Sequence, residues 1–236
     1  MSHILVKAIA DSDQKYAFMT LQNPQPWSLE KIRTIEKQGL EAGLPLMQHA
    51  ADCALKLILK CHGLPQHALV LAGPGNNGGD ALTLALGLWQ HGSLVTVIQP
   101  QFPKPAVTDA YAAHANWIAT GEAVLSQWPD KANHYDLIVD GLFGIGLDRP
   151  LTNPWQYLIK CANRHEAPTL ALDIPSGLFA QSASTPNLQD PQNSQTIIQA
   201  RWTTAFIAPT QAVCETCHAH WVGELYLCDL GLRSDA

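Results

Sequence analysis

From residue 68 onward the chain alternates short apolar runs with stretches of helical period, a pattern that predicts parallel strands joined by helices. Ala68–Ala72 suits a buried parallel strand, and Leu94–Ile98, Asp136–Val139 and Thr169–Leu172 are further strands. Thr203–Ile207 and Glu224–Cys228 are further candidate strands. Between them, helices are expected at about Gly79–His91, at Pro105–Thr120 (inner face Val107, Tyr111, Ala115 and Ile118) and at Pro154–Asn163. Ahead of this alternation, residues 27–62 hold two helices. Trp27–Gly39 has Ser28 as its N-cap and Leu29, Ile32 and Ile35 along one side. Pro45–Cys61 carries Met47, Ala50, Ala54 and Ile58 in register. The expected architecture is a doubly wound, mostly parallel α/β sheet with helices on both faces, a Rossmann-like three-layer αβα fold.

Length and composition narrow the function more than the fold. The 236 residues fit one domain, with residues 1–26 as an N-terminal extension and 181–195, rich in Ser, Gln, Asn and Pro, as a mobile surface loop. A net charge of −6 without a basic run argues against nucleic-acid binding. Met1–Tyr16 is no secretory signal, and no window approaches the ~18 apolar residues of a membrane span, so no membrane association is expected. The expected location is cytoplasmic, with the six cysteines reduced. Cys214-Glu-Thr-Cys217-His218, followed by His220, fits a haem-attachment string. Without an export signal, or a fourth zinc ligand at a usual spacing, it reads as chance proximity in a loop, with metal or redox chemistry as the alternative.

In doubly wound sheets ligands bind beyond the carboxyl ends of the strands, so the loops after strands carry the candidate chemistry. The first is Gly73-Pro-Gly-Asn-Asn-Gly-Gly-Asp80, a formal GxGxxG. The acid expected about 20 residues later to hold a ribose is missing from Val97–Gln101, which disfavours the ordinary dinucleotide fingerprint. Glycines permitting close backbone approach, a helix start that attracts phosphate, and the Asn76 and Asn77 amides remain. The second loop, Asp140–Pro150, opens with an acid and contains Gly144 and Gly146. In the third, Asp173-Ile-Pro-Ser-Gly177, Asp173 is a candidate general acid/base and Ser176 a cation ligand.

In this order and at these separations, the three loops resemble the NAD(P)H-hydrate epimerase family, whose fold is the YjeF N-terminal domain. The resemblance runs from about Trp27 to Leu232 and takes in Leu46-Met47, Ala208-Pro209 and Gly223-Glu-Leu-Tyr. It implies an isomerase of cofactor repair, interconverting the R and S epimers of hydrated NADH or NADPH. A separate dehydratase acting in sequence is implied as partner, and relatives are commonly dimeric, with Trp27 and Leu29 as natural anchors. The resemblance also implies K+ as cofactor, held by Asn77, Asp140 and Ser176. Substrate contacts would fall on Asn76, Asn77, Gly78, Gly79 and Asp80, on Gly144, Ile145, Gly146, Leu147, Asp148, Arg149 and Pro150, and on Asp173, the implied catalytic residue. Four positions depart from the family pattern: Ala51, Ala81, Arg201 and Thr210. They are expected around the rim of the site, where they would lower affinity or activity. The alternative is a non-catalytic nucleotide-binding or interaction module of the same fold.

Overall fold

Strand β2 (His67–Ala72) runs through the middle of the sheet, and its side chains sort by parity. Ala68, Val70 and Ala72 face one core while Leu69 and Leu71 face another, and all five are buried. Successive strand residues point to opposite faces, so an unbroken apolar run needs cover on both. The computed structural model, which describes residues 18–21, 24–105, 108–129, 134–181 and 195–232, provides that cover. On the first face lie α1 (Leu29–Glu41), α2 (Leu46–Cys61), α3 (Asn76–Gln90) and α4 (Thr108–Ile118). On the second lies α5 (Trp155–Arg164). There a third cluster is closed by the short helices α6 (Gln211–Cys214) and α7 (Ala219–Val222), with Val213, Trp221 and Val222 packed beside Ala205.

Among the described residues the sheet has eight strands. With β1 (Phe18–Thr20), β3 (Leu94–Ile98), β4 (Val124–Leu125), β5 (Leu137–Gly141), β6 (Thr169–Leu172), β7 (Trp202–Phe206) and β8 (Glu224–Cys228), the order is β1-β8-β7-β6-β5-β2-β3-β4. All neighbours are parallel except β1, which runs antiparallel to β8. The chain moves outward from β2 through β3 to β4, then returns to place β5 against the other side of β2. That reversal splays the loops after β2 and β5 apart and opens a crevice between them.

Several expectations shift in detail. Ser28 caps α1 as expected, accepting from Lys31 N at 3.2 Å. Helix α3 begins at Asn76, not Gly79, so the Asn-Asn-Gly-Gly run forms its first turn. On α4 the inward residues are Ala110, Ala113 and Trp117, whereas Tyr111, Ala115 and Ile118 are exposed. Burying Trp117, with the largest apolar area on the helix, sets the rotation of the whole element; Val107 lies outside the described residues. Strands β1 and β4 were too short to show a period of their own. All but the ends of the 181–195 loop, and most of the 1–26 extension, lie outside the described residues.

The six cysteines are not all reduced. Cys53 of α2 and Cys228 of β8 form a disulfide across 175 residues, leaving Cys61, Cys161, Cys214 and Cys217 free. Trp27 and Leu29, expected as dimer anchors, pack onto their own chain. Trp27 rests on the first core and donates its N–H to Pro209 O at 2.9 Å, and Leu29 rests on the third cluster. Among the described residues, no helix is long and apolar enough to cross a membrane.

Candidate active site

A cleft of about 480 Å³ opens over the carboxyl ends of β2, β5, β6 and β7. Its floor at β2 is the turn Gly73–Gly75 and the start of α3. Gly75 is the N-cap residue and offers no side chain to the first turn, so those N–H groups stay available to a ligand. The turn is pinned laterally, with Gly73 N donating to Gly141 O at 3.0 Å and Gln99 Nε2 donating to Gly73 O at 3.3 Å.

The wall facing α3 is formed by Leu142–Leu147 and by Asp173. Asp173 follows β6 at φ 67°, a left-handed backbone that costs a non-glycine residue energy and recurs at functional sites. Its N–H donates to Thr204 O at 2.8 Å, and its Oδ2 accepts from Ile145 N at 2.8 Å. Gly144 lies so close that a Cβ there would strike the Asp173 carboxylate. Burial pushes the Asp173 carboxyl up to about 6, with the Glu36 charge adding to the rise and the Ile145 and Phe206 N–H groups opposing it. Asp80, across the cleft on α3, is pushed well above the usual range by burial and by the charges of Asp173, Glu36 and Asp109. Burial and the neighbouring carboxylates thus oppose ionisation of both groups, most strongly at Asp80.

Behind this wall, at the end of β5, Asp140 is fully buried. Its Oδ2 accepts from Ser176 N at 2.8 Å, and its Oδ1 accepts from Ser176 Oγ at 2.7 Å and Leu142 N at 3.2 Å. Burial raises its carboxyl to about 6 against the pull of those bonds. Ser176 Oγ also accepts from Phe143 N at 2.9 Å. On the α3 side, Asn77 is 9% exposed, and neither its Oδ1 nor its Nδ2 has a hydrogen-bond partner among the described residues. A buried amide left unpaired costs about 1–3 kcal/mol, which favours a ligand that coordinates it. Buried oxygen donors with a carboxylate among them suit a hard cation.

The sequence compares with known proteins along most of its length. Residues 43–212 match the family model described as YjeF-related protein N-terminus. This chain belongs to that family. The NAD(P)H-hydrate epimerase of Bordetella pertussis is 41% identical over 204 residues, covering 86% of this chain and 87% of the relative. The bifunctional NAD(P)H-hydrate repair enzyme Nnr of Escherichia coli is 33% identical over 88% of this chain but only 40% of its own length. The crystal structure of yeast ynu0 superimposes with a TM-score of 0.62 over 79% of this chain and 82% of that one, at 21% identity. The fold is common to both.

Placed in this member of the family, the sequence-derived residues divide. Asn76, Asn77, Asp80, Gly144, Ile145, Gly146, Leu147 and Asp173 line the cleft, and Asp140 and Ser176 sit directly behind it. Gly78 and Gly79 do not line it. They are buried where α3 presses on Gly73 and on Met47 and Ala110, approaches that leave no room for a side chain. Asp148, Arg149 and Pro150 are exposed, beyond the cleft wall. The four departures are not rim positions either, and none touches the cleft. Ala51 and Ala81 belong to the first core, Thr210 is buried, and Arg201 sits at the amino end of β7 beside Glu224. Residues the motifs missed are Arg33, Glu36, Gln101, Lys104 and Asp109. Arg33 and Glu36 follow Ile32 on α1 at i+1 and i+4, so two charged groups beside an apolar stripe were the only local sign.

Proposed function

We infer that this chain is an NAD(P)H-hydrate epimerase that interconverts the R and S epimers of hydrated NADH and NADPH. The reading is carried by the Asp173 carboxylate, held by the Ile145 N–H on the wall of a cleft that begins at an uncapped helix N-terminus. A dinucleotide's pyrophosphate suits the first turn of α3, with Arg33 and Lys104 available to its charge. That seats the hydrated nicotinamide ring toward Asp173, between Asn76 and Asp80 on one side and Gly144–Leu147 on the other.

Epimerisation loses the ring hydroxyl and adds water back from the opposite face. In its acid form Asp173 gives a proton to the departing hydroxyl, and water leaves as the ring becomes an iminium cation. The resulting carboxylate lies beside that cation and stabilises it, then takes a proton from the incoming water as the new C–O bond forms. A carboxyl group with a pKa raised to about 6 serves both halves near neutral pH. Across the cleft, burial and the charges of Asp173, Glu36 and Asp109 oppose a second negative charge on Asp80.

Asn77, Asp140 and Ser176 are the residues that would hold K+, and the unpaired Asn77 amide and buried Asp140 carboxylate fit that role. Bound there, the ion would supply a fixed positive charge beneath the cleft. The epimerase activity would feed a separate dehydratase that consumes one epimer, in the cytoplasm where reduced cofactors turn over, with the enzyme acting as a homodimer. The direct test adds the protein to epimerically enriched hydrated NADH and follows decay of the enrichment against a protein-free control. Decay at the control rate would refute the reading.

A further inference from the structure

Away from the cleft, the crossover from β7 to β8 places Glu215, Cys217 and His218 together. A single 3-10 turn, Thr216–His218, makes this possible by bringing the Cys217 and His218 side chains back over Glu215. His218 is 2% exposed, and its Nδ1 lies 2.8 Å from Ala212 O. A carbonyl oxygen only accepts, so Nδ1 carries a hydrogen, and in the neutral imidazole Nε2 is the nitrogen with the lone pair. That lone-pair nitrogen is 3.9 Å from Glu215 Oε2, and Cys217 Sγ donates to the same oxygen at 3.5 Å. The other carboxylate oxygen, Oε1, is held by Gln211 Nε2 at 3.1 Å, which leaves Oε2 turned toward the cluster.

We propose that Glu215, Cys217 and His218 form a binding site for a zinc-class divalent cation, with one coordination position open to solvent. The three ligand atoms lie within 4.8 Å of one another. Zinc bonds of about 2.0–2.3 Å set neighbouring tetrahedral ligands roughly 3.3–3.8 Å apart, so small side-chain adjustments complete the geometry. One sulfur, one imidazole nitrogen and one carboxylate oxygen select a borderline-soft ion over Mg2+ or Ca2+. The Ala212 carbonyl and the Gln211 amide orient two of the ligands from behind, as outer partners do in zinc sites. Cys217 is exposed, so the fourth position faces water. None of the three residues lines the cleft, and the site stands apart from the epimerase reading. Binding exchanges a proton for the metal: the Cys217 S–H bond breaks, an S–metal bond forms, and one H+ leaves with no change of oxidation state.

The full-length protein, with its Cys53–Cys228 disulfide intact and stripped with a chelator under anaerobic conditions, is titrated with Zn2+ alone by calorimetry in two buffers of different ionisation enthalpy. Co2+ then replaces Zn2+ for spectroscopy. One equivalent of Zn2+, about one proton released and a thiolate-to-cobalt charge-transfer band are expected. Cys217→Ser, at an exposed position that leaves packing intact, is expected to weaken Zn2+ binding at least tenfold and abolish the band. His218→Gln tests the imidazole, but its side chain is buried and the change can disturb folding, so Cys217→Ser is the deciding variant. Absence of stoichiometric uptake, or uptake that Cys217→Ser leaves unchanged, would overturn the proposal.

Discussion

Asp140 grips Ser176 twice, through the backbone N–H at 2.8 Å and through the hydroxyl at 2.7 Å, and so fastens the loop after β6 to the end of β5. The pairing joins residues 36 positions apart and fixes two of the three residues assigned to K+. Replacing Asp140 by Ala strands the Ser176 and Leu142 N–H groups, and a loss of about 1–3 kcal/mol is expected on chemical denaturation. The parent protein should melt higher in KCl than in choline chloride of equal ionic strength, because an ion bound only to the native state stabilises it. Asp140→Ala should show no such difference. A parent protein indifferent to the choice of salt would exclude K+ from this site.

Asp173 gives the pH dependence. With its carboxyl at about 6, the anionic fraction grows as pH rises through that value. Because the cycle starts from the acid form of Asp173 and restores it, epimerisation should fall as pH rises through about 6. Asp173→Asn should bind substrate nearly as well and lose about 10²–10⁴-fold in rate, with no inflection. Stability moves in the same direction. Ionisation is harder in the folded protein than in the unfolded chain, where the carboxyl titrates near 3.8. The Asp173 contribution is therefore fully present below about pH 4 and is lost as pH rises toward 6. Removing the charge should leave Asp173→Asn at least as stable as the parent above pH 6, by about 1 kcal/mol once partial exposure is allowed for. Loss of activity with unchanged or higher melting temperature is the signature to look for.

Two glycines in one loop offer a contrast. A Cβ at Gly144 would strike the Asp173 carboxylate, while one at Gly146 meets nothing within 4 Å. Gly144→Ala should cut the epimerisation rate at least tenfold by displacing the carboxylate, with a small change in stability. Gly146→Ala should stay within about twofold of the parent. Equal rates in the two variants would show that the position of Asp173 does not govern the reaction.

The disulfide is checked by counting thiols. Denatured without reductant, the protein should titrate four thiols, Cys61, Cys161, Cys214 and Cys217, and six after reduction. Closing a loop of this length restricts the unfolded chain, so Cys53→Ser with Cys228→Ser should cost about 2–5 kcal/mol. Six reactive thiols in the unreduced protein would remove the bond.

Local pattern alone determined the layered α/β fold, because a run such as Ala68–Ala72 demands cover on both faces wherever it sits. It also determined which loops follow strands, and hence that Asn77, Asp140, Asp173 and Ser176 belong near one end of a parallel sheet. Periodicity reports that a face is buried without saying against what, and so it missed the rotation of α4 and the internal packing of Trp27. Tertiary structure decided that β5 lies beside β2, that α1 brings Arg33 and Glu36 over the cleft, and that Lys104 joins them. It alone paired Cys53 with Cys228 and moved Ala51, Ala81, Thr210 and Arg201 off the rim. Each of these depends on contacts between segments far apart in the chain. A contact of that kind forms only when the sheet has fixed where each element lies, and it leaves no mark on the residues next to it in sequence.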